Sequence, residues 1–142
     1  KESVENVAHI RDMILTVKGK HPDFAVFSGF DDHLLQTLTL GGDGAISASV
    51  NFAPELALGV YKGFNESRIN EAVAFHQRMA LLPTMYKLDS PFVSVVKEAM
   101  KLRGMDISTN VLAPARSLSA DKIEELKKIL VQADLLESAP VK

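Results

Sequence analysis

Two apolar runs, Phe24–Phe27 and Gly44–Ser47, do most to limit what this chain can fold into. Each is too short for a helix. Each ends in small or acidic residues, where a parallel strand hands over to its helix. About 20 residues separate the runs, the length of one tight strand–helix unit. Between them lie the polar turn Ser28-Gly29-Phe30-Asp31-Asp32, a short helix predicted over His33–Leu40, and the pair Gly41-Gly42. Pro54 then falls at the first position of another helix, running to about Lys62, where its missing N–H costs nothing.

The flanking segments are helical. Ser3 is placed to cap a helix reaching Lys18, with Val7, Ile10, Met13, Ile14 and Val17 on one face. After Gly63 the strand–helix rhythm stops. Asn65 is expected to cap a helix with Ile69, Val73, His76 and Met79 inward, closed by Pro83. A short segment, Met85–Leu88, precedes a helix opened by Ser90-Pro91 and ended by Gly104, with Phe92, Val95, Val96, Ala99 and Leu102 on one side. Met105–Arg116 reads as an extended crossing segment. Ser119 caps a last helix whose buried stripe is Leu126, Ile129, Leu130 and Ala133, and the tail from about Glu137 is expected to fray.

These patterns predict an α/β chain of two parts. Residues 1–63 carry the C-terminal strand–helix units of a barrel or doubly wound sheet, and residues 64–142 form a helical extension. Two parallel strands leave both edges open and cannot bury both faces. The N-terminal part of a larger domain is therefore expected to lie outside this sequence.

Composition narrows the function classes. Apolar residues make up 46% of the 142 and charged residues 24%, a globular balance. The net charge of −2 and pI near 6.1 give no basic footprint for nucleic acid. No apolar run approaches the ~20 residues of a membrane span, and no charged-then-apolar leader opens the sequence. Cysteine is absent, which excludes thiolate metal sites and cysteine nucleophiles and fits a reducing cytoplasm. The four histidines show no metal-ligand spacing, and no cofactor or metal is expected. Gly41, Gly42 and Gly44 lack the spacing of a phosphate cradle and enter a strand instead of opening a helix. Ser28, His33 and an aspartate lack the strained turn of a nucleophile elbow.

The order of motifs is more specific. Lys1-Glu2-Ser3, then Ser28-Gly29-Phe30-Asp31-Asp32, then Gly42-Asp43-Gly44-Ala45-Ile46-Ser47 with Asn51 and Pro54, resembles the dihydrodipicolinate synthase/N-acetylneuraminate lyase family. Its members are (β/α)8 TIM barrels that use a lysine Schiff base to make or break a carbon–carbon bond beside a 2-oxo acid. The resemblance covers nearly the whole chain. It implies that these are the seventh and eighth βα units plus the family's C-terminal helical extension. The turn and the second strand look most like those of bacterial aldolases for 2-keto-3-deoxy sugar acids. The resemblance also implies dimers or tetramers.

Carried over residue by residue, the resemblance makes Lys1 the Schiff-base lysine at the end of the sixth strand. Gly29, Asp31 and Asp32 become contacts to the hydroxyls of a sugar acid, and the main chain of Ile46 lies beside the lysine. The family's catalytic tyrosine and its carboxylate-binding Thr/Ser turn come from earlier strands and have no counterpart here. Ala48 stands where sialic acid lyases carry a serine, which argues against sialic acid. Blander readings compete: a terminal lysine is normally solvated, an acid after a strand commonly caps the next helix, and Ile46 suits a buried strand. His76 suits a hydrogen-bonded core or interface residue.

A lysine amine attacks a ketone only when unprotonated, and the desolvated mouth of a barrel supplies that form. The expectation is therefore a class I aldolase that cleaves a 2-keto-3-deoxy sugar acid to pyruvate and an aldehyde, this chain being one part of it. Two alternatives stand beside it: condensation of pyruvate with an aldehyde, as dihydrodipicolinate synthase performs, and a non-catalytic half-barrel needing a complementing chain.

Overall fold

The computed structural model describes residues 1–137, so the tail expected to fray beyond Glu137 lies outside the described residues. Helix α1 (Val7–Met13) continues through a π-helical turn, Ile14–Lys18, to Gly19. Strand β1 (Phe27–Ser28) follows, then a 3-10 turn over Asp31–His33 and α2 (Leu34–Thr39). Strand β2 (Gly44–Ala45) leads through a second 3-10 turn, Ser49–Asn51, into α3 (Pro54–Asn65). Helices α4 (Ile69–Met79), α5 (Val93–Leu102) and α6 (Ala120–Gln132) complete the chain, with a 3-10 segment over Leu82–Leu88 between α4 and α5.

The sheet has a third member at the N-terminus, where the family resemblance puts the end of a sixth strand. β1 pairs in parallel with β2, Phe27 opposite Gly44 and Ser28 opposite Ala45. On its other side β1 bridges Glu2, also in parallel. The Glu2 N–H donates to the Phe27 carbonyl at 2.8 Å, and the Gly29 N–H donates back to the Glu2 carbonyl at 2.7 Å. Ser3 follows this bridge and does not cap the helix. Asn6 takes that role, its side chain accepting from the Ala8 N–H at 2.9 Å. Among the described residues nothing pairs with the far edge of β2.

Asp43 fixes the entry to β2. Its Oδ2 accepts from the Val26 N–H at 2.7 Å, and both its oxygens accept from Lys18 Nζ at 2.7 Å. The bonds from Lys18 and then Val26 hold this carboxyl below its ordinary range, against a smaller opposing effect of burial.

One apolar core runs through both parts of the chain. Leu34, Leu38, Phe52, Leu56 and Val60 share it with Met79, Leu82, Val95, Leu126 and Leu130. Gly59 makes the α3–α4 approach possible, because an added Cβ there would fall 2.4 Å from the Phe75 ring. Two arginines tie the later helices to the rest of the chain. Arg103 at the end of α5 donates to the carbonyls of Phe52 (3.0 Å) and Leu135 (2.6 Å) and pairs with Glu55. Arg78 donates to the carbonyls of Ala133 and Asp134.

The helix boundaries hold with local differences. α3 runs on to Asn65, whose side chain bonds back to the Tyr61 carbonyl instead of capping α4. The buried face of α4 is Ala72 and Met79, with Ile69 exposed, so its stripe is rotated from the one expected. Ser119 stands at the start of α6 in extended conformation, with no side-chain cap bond. Among the described residues no helix is long and apolar enough to cross a membrane.

Asp43→Asn should lower stability at pH 7 by about 1 kcal/mol in urea unfolding. The Asp43 carboxyl is held low in the folded state, so its contribution is full above the ordinary carboxylate range. It is lost as pH falls through the lowered value, and the two proteins should converge at a pH below that value. Gly59→Ala should cost about 1–3 kcal/mol by forcing α3 and α4 apart.

Candidate active site

Three backbone hydrogen bonds set the level of the site. The Glu2 pairing holds Lys1 beside Gly29, and the Ile46 N–H donates to the Ser28 carbonyl at 2.8 Å, placing Ile46 at the same end of the sheet. A Cβ on Gly29 would fall 2.6 Å from Ser3 Oγ, 2.9 Å from the Glu2 carbonyl oxygen and 3.0 Å from Lys1 Cε. Only glycine leaves room for the lysine side chain to lie across this turn.

Lys1, Gly29, Asp31, Asp32 and Ile46 all line one cleft of about 840 Å³. Every site residue expected from the sequence is therefore brought to one place. Ile46 is 52% exposed, so it is a cleft residue and not a buried strand residue. Ser47, Ala48 and Asn51 line the same cleft from the β2–α3 connection.

The two acids differ sharply. Asp31 is 2% exposed. Its Oδ1 accepts from the Ser49 N–H at 3.1 Å, and its Oδ2 accepts from the Tyr86 hydroxyl at 2.6 Å. Neither acid caps the following helix through its side chain. Asp32 is half-buried, and its Oδ1 is shielded from solvent with no hydrogen-bond partner.

His76 of α4 is also half-buried, with an Nδ1 that has no partner, so the hydrogen bond expected of it is not made at that atom. Burial holds this imidazole below its usual range, and the negative charge of Asp32 pulls the other way. Among the described residues no cluster of three or more His, Asp or Glu side chains could hold a metal ion.

The segment after α4 supplies a wall of the cleft that the sequence pattern did not reveal. Pro83, Thr84, Tyr86, Lys87 and Phe92 all face it. The Tyr86 and Phe92 rings pack with centroids 4.9 Å apart. Burial, reinforced by the negative charge of Asp31, pushes the Tyr86 phenol far above its usual range. A signal was present: a tyrosine in the apolar run Leu81–Leu88 must find a partner for its hydroxyl when buried.

In this α/β chain a lysine thus lies beside a glycine turn at the end of a short parallel sheet, on a cleft that an aspartate with an unpartnered oxygen also lines. The chain belongs to the dihydrodipicolinate synthetase family, whose model matches residues 1–133. It is 49% identical over 135 residues to YagE of Escherichia coli K12, a candidate 2-dehydro-3-deoxy-D-gluconate aldolase, covering 95% of this chain and 45% of that protein. It is 41% identical over 136 residues to YjhH of the same organism, a candidate 2-dehydro-3-deoxy-D-pentonate aldolase, covering 96% of this chain and 45% of that protein. The crystal structure of YagE in complex with pyruvate superposes with a TM-score of 0.94 at 48% identity, covering 96% of this chain and 46% of that one. Dihydrodipicolinate synthase from Thermotoga maritima gives a TM-score of 0.85 at 26% identity, covering 96% of this chain and 45% of that one. The chain thus spans about half the length of the relatives it matches, and its mostly helical α/β fold matches about half of a family TIM-barrel chain.

The raised Tyr86 phenol has a measurable consequence. It stays protonated in the folded protein while the unfolded chain ionises near pH 10, so its contribution to stability is full below about pH 10 and is lost above it. In an alkaline titration followed by tyrosinate absorbance, the part of the signal removed by Tyr86→Phe should appear only as the protein unfolds.

Proposed function

We propose that the protein is a class I aldolase that cleaves a 2-keto-3-deoxy sugar acid to pyruvate and an aldehyde, and that this chain carries its lysine and its sugar-binding turn. The observation that carries the reading is Lys1 lying across Gly29 in the cleft that Asp32 also faces. The resemblance of the chain to YagE and YjhH supports the same substrate class.

The chemistry follows from an amine placed against a ketone. The unprotonated Lys1 Nζ adds to the C2 carbonyl, and loss of water gives an iminium. The C3–C4 bond then breaks, its electron pair flows into the iminium to give an enamine, and the C4 hydroxyl loses its proton as the aldehyde forms. Protonation at C3 and hydrolysis release pyruvate and return the free amine. In this scheme Gly29, Asp31 and Asp32 meet the hydroxyls of the substrate, and the Ile46 main chain lies beside the amine. Residues 1–63 act as the seventh and eighth barrel units and residues 64–142 as the extension. The remaining catalytic groups come from the rest of the barrel.

A second reading has its own support. The far edge of β2 is unpaired among the described residues, beside an apolar groove of about 450 Å³ lined by Phe27, Val50, Pro54, Ala57, Leu58 and Tyr61. Unpaired strand edges seek a partner. On this reading the chain by itself is an inactive half-barrel that binds its complement or another copy of itself.

Treating the full-length protein with pyruvate and borohydride should add the mass of a reduced imine to the peptide containing Lys1. No adduct there would end the aldolase reading. In the same preparation, 2-keto-3-deoxygluconate and its pentonate analogue should be cleaved, and sialic acid should not. Preferential condensation with aspartate semialdehyde would favour the synthase alternative.

A further inference from the structure

Helix α4 packs against α2, α3 and the 3-10 turn over Asp31–His33. At the joint with that turn two polar atoms are shielded from solvent and lack a partner, Asp32 Oδ1 and His76 Nδ1. An ionised carboxylate oxygen only accepts, and an imidazole Nδ1–H donates, so each is what the other lacks. Left apart, both forfeit their hydrogen bonds to water with nothing in return. The second atom of each group, Asp32 Oδ2 and His76 Nε2, is not shielded in this way, and Asp32 also lines the cleft. Burial lowers the pKa of the imidazole, and the charge of Asp32 opposes that lowering. The neighbouring titratable groups are engaged elsewhere or exposed. Asp31 is bonded to Ser49 and Tyr86, and the His33 ring packs on Phe30. Glu55 of α3 pairs with Arg103, while Tyr61 and Lys62 of α3 are exposed. On α4 itself Glu71 pairs with Arg68, and Arg78 is bonded to the carbonyls of Ala133 and Asp134. Helix α2 carries no titratable side chain.

We propose that His76 is a positioning residue for the candidate site, its Nδ1–H donating to Asp32 Oδ1 so that α4 sets the direction of the Asp32 carboxylate at the cleft. This rests on the aldolase reading, in which Asp32 meets the substrate, and adds to it a residue of α4 that touches no substrate. The bond closes by a turn of the imidazole about Cβ–Cγ, a soft torsion for histidine. It also selects the tautomer: Nδ1 keeps its proton toward the acid, and Nε2 exchanges protons with water. A carboxylate held at one oxygen keeps its other oxygen in a fixed direction, which is what a binding group needs from the residue behind it. The support is itself firmly seated, since Ala72 and Met79 of α4 are buried and Phe75 lies against Gly59. Without the imidazole, Oδ1 can recover a partner only by rotating toward water, and that direction is lost.

The test uses the full-length enzyme and two readouts. The first is the titration of the His76 imidazole, followed by NMR of labelled histidine and assigned by its loss in His76→Asn. Asp32→Asn removes the opposing charge but keeps an acceptor, so burial acts alone and the titration should move to lower pH. In the wild type the neutral ring should carry its proton on Nδ1. A titration unmoved by Asp32→Asn, or a neutral ring protonated on Nε2, would overturn the pairing. The second readout is kinetic. His76→Leu should raise KM for 2-keto-3-deoxygluconate about fivefold, while half-saturation for pyruvate in borohydride trapping stays within about twofold. His76→Asn, whose amide N–H can stand where Nδ1–H stood, should return KM to within about twofold of the wild type. If His76→Leu fails to fold, His76→Gln takes its place with the same expectation, because its amide reaches the position of Nε2 instead. Equal losses in His76→Asn and the other variant, or no loss in either, would overturn the positioning role. In all these outcomes the wild-type imine persists and the aldolase reading survives. A wild-type enzyme that forms no imine at Lys1 overturns that reading and the kinetic role with it, while the titration still reports the His76–Asp32 pair.

Discussion

Everything at the cleft depends on parallel backbone pairing across three very short strands. The Glu2 stub, β1 and β2 contribute only a few hydrogen bonds, yet those bonds bring together residues far apart in sequence. Parallel pairing demands a crossover of a dozen or more residues, and α2 provides it with little to spare. Asp43 reinforces the arrangement by supplying an acceptor to Val26 just before β1, with Lys18 as its counter-charge. A side chain thereby does work that a longer strand would do with main chain alone.

The helices do more than cover this sheet. Apolar residues of α2 and α3 continue without a break into those of α4, α5 and α6. Arg103 ties the carbonyl of Phe52, just past the cleft-lining Asn51, to that of Leu135 near the end of the described chain. Charge-assisted bonds to carbonyls are stronger than neutral ones, so these contacts set distances as well as joining surfaces. The connection carrying Ser47, Ala48 and Asn51 is thus fixed from the sheet at one end and from α5 at the other.

Much of this was legible in the residues. The two apolar runs locate β1 and β2 to within three residues, Pro54 marks the start of α3, and the ordered motifs around Lys1, Gly29 and Ile46 point to residues that meet in one cleft. Local pattern could not distinguish Asp31 from Asp32, because their difference lies in partners 18 and 55 residues away. Only the family resemblance pointed to the third strand, because a single bridged residue has no period to read. The rotated stripe of α4 has a packing cause. Gly59 admits the Phe75 ring, which turns Ala72 and Met79 inward and leaves Ile69 outside.

The free edge of β2 bears on how such a chain can be handled. Among the described residues its outer N–H and C=O groups pair with no strand, and unpaired edge groups readily accept another strand. Whatever extended segment reaches that edge first, at whatever concentration, has a ready-made template to extend. Assembly is then a race decided by proximity and timing. A complementing segment supplied on the same polypeptide wins that race by effective concentration, whereas one added from solution must outrun self-association of identical edges.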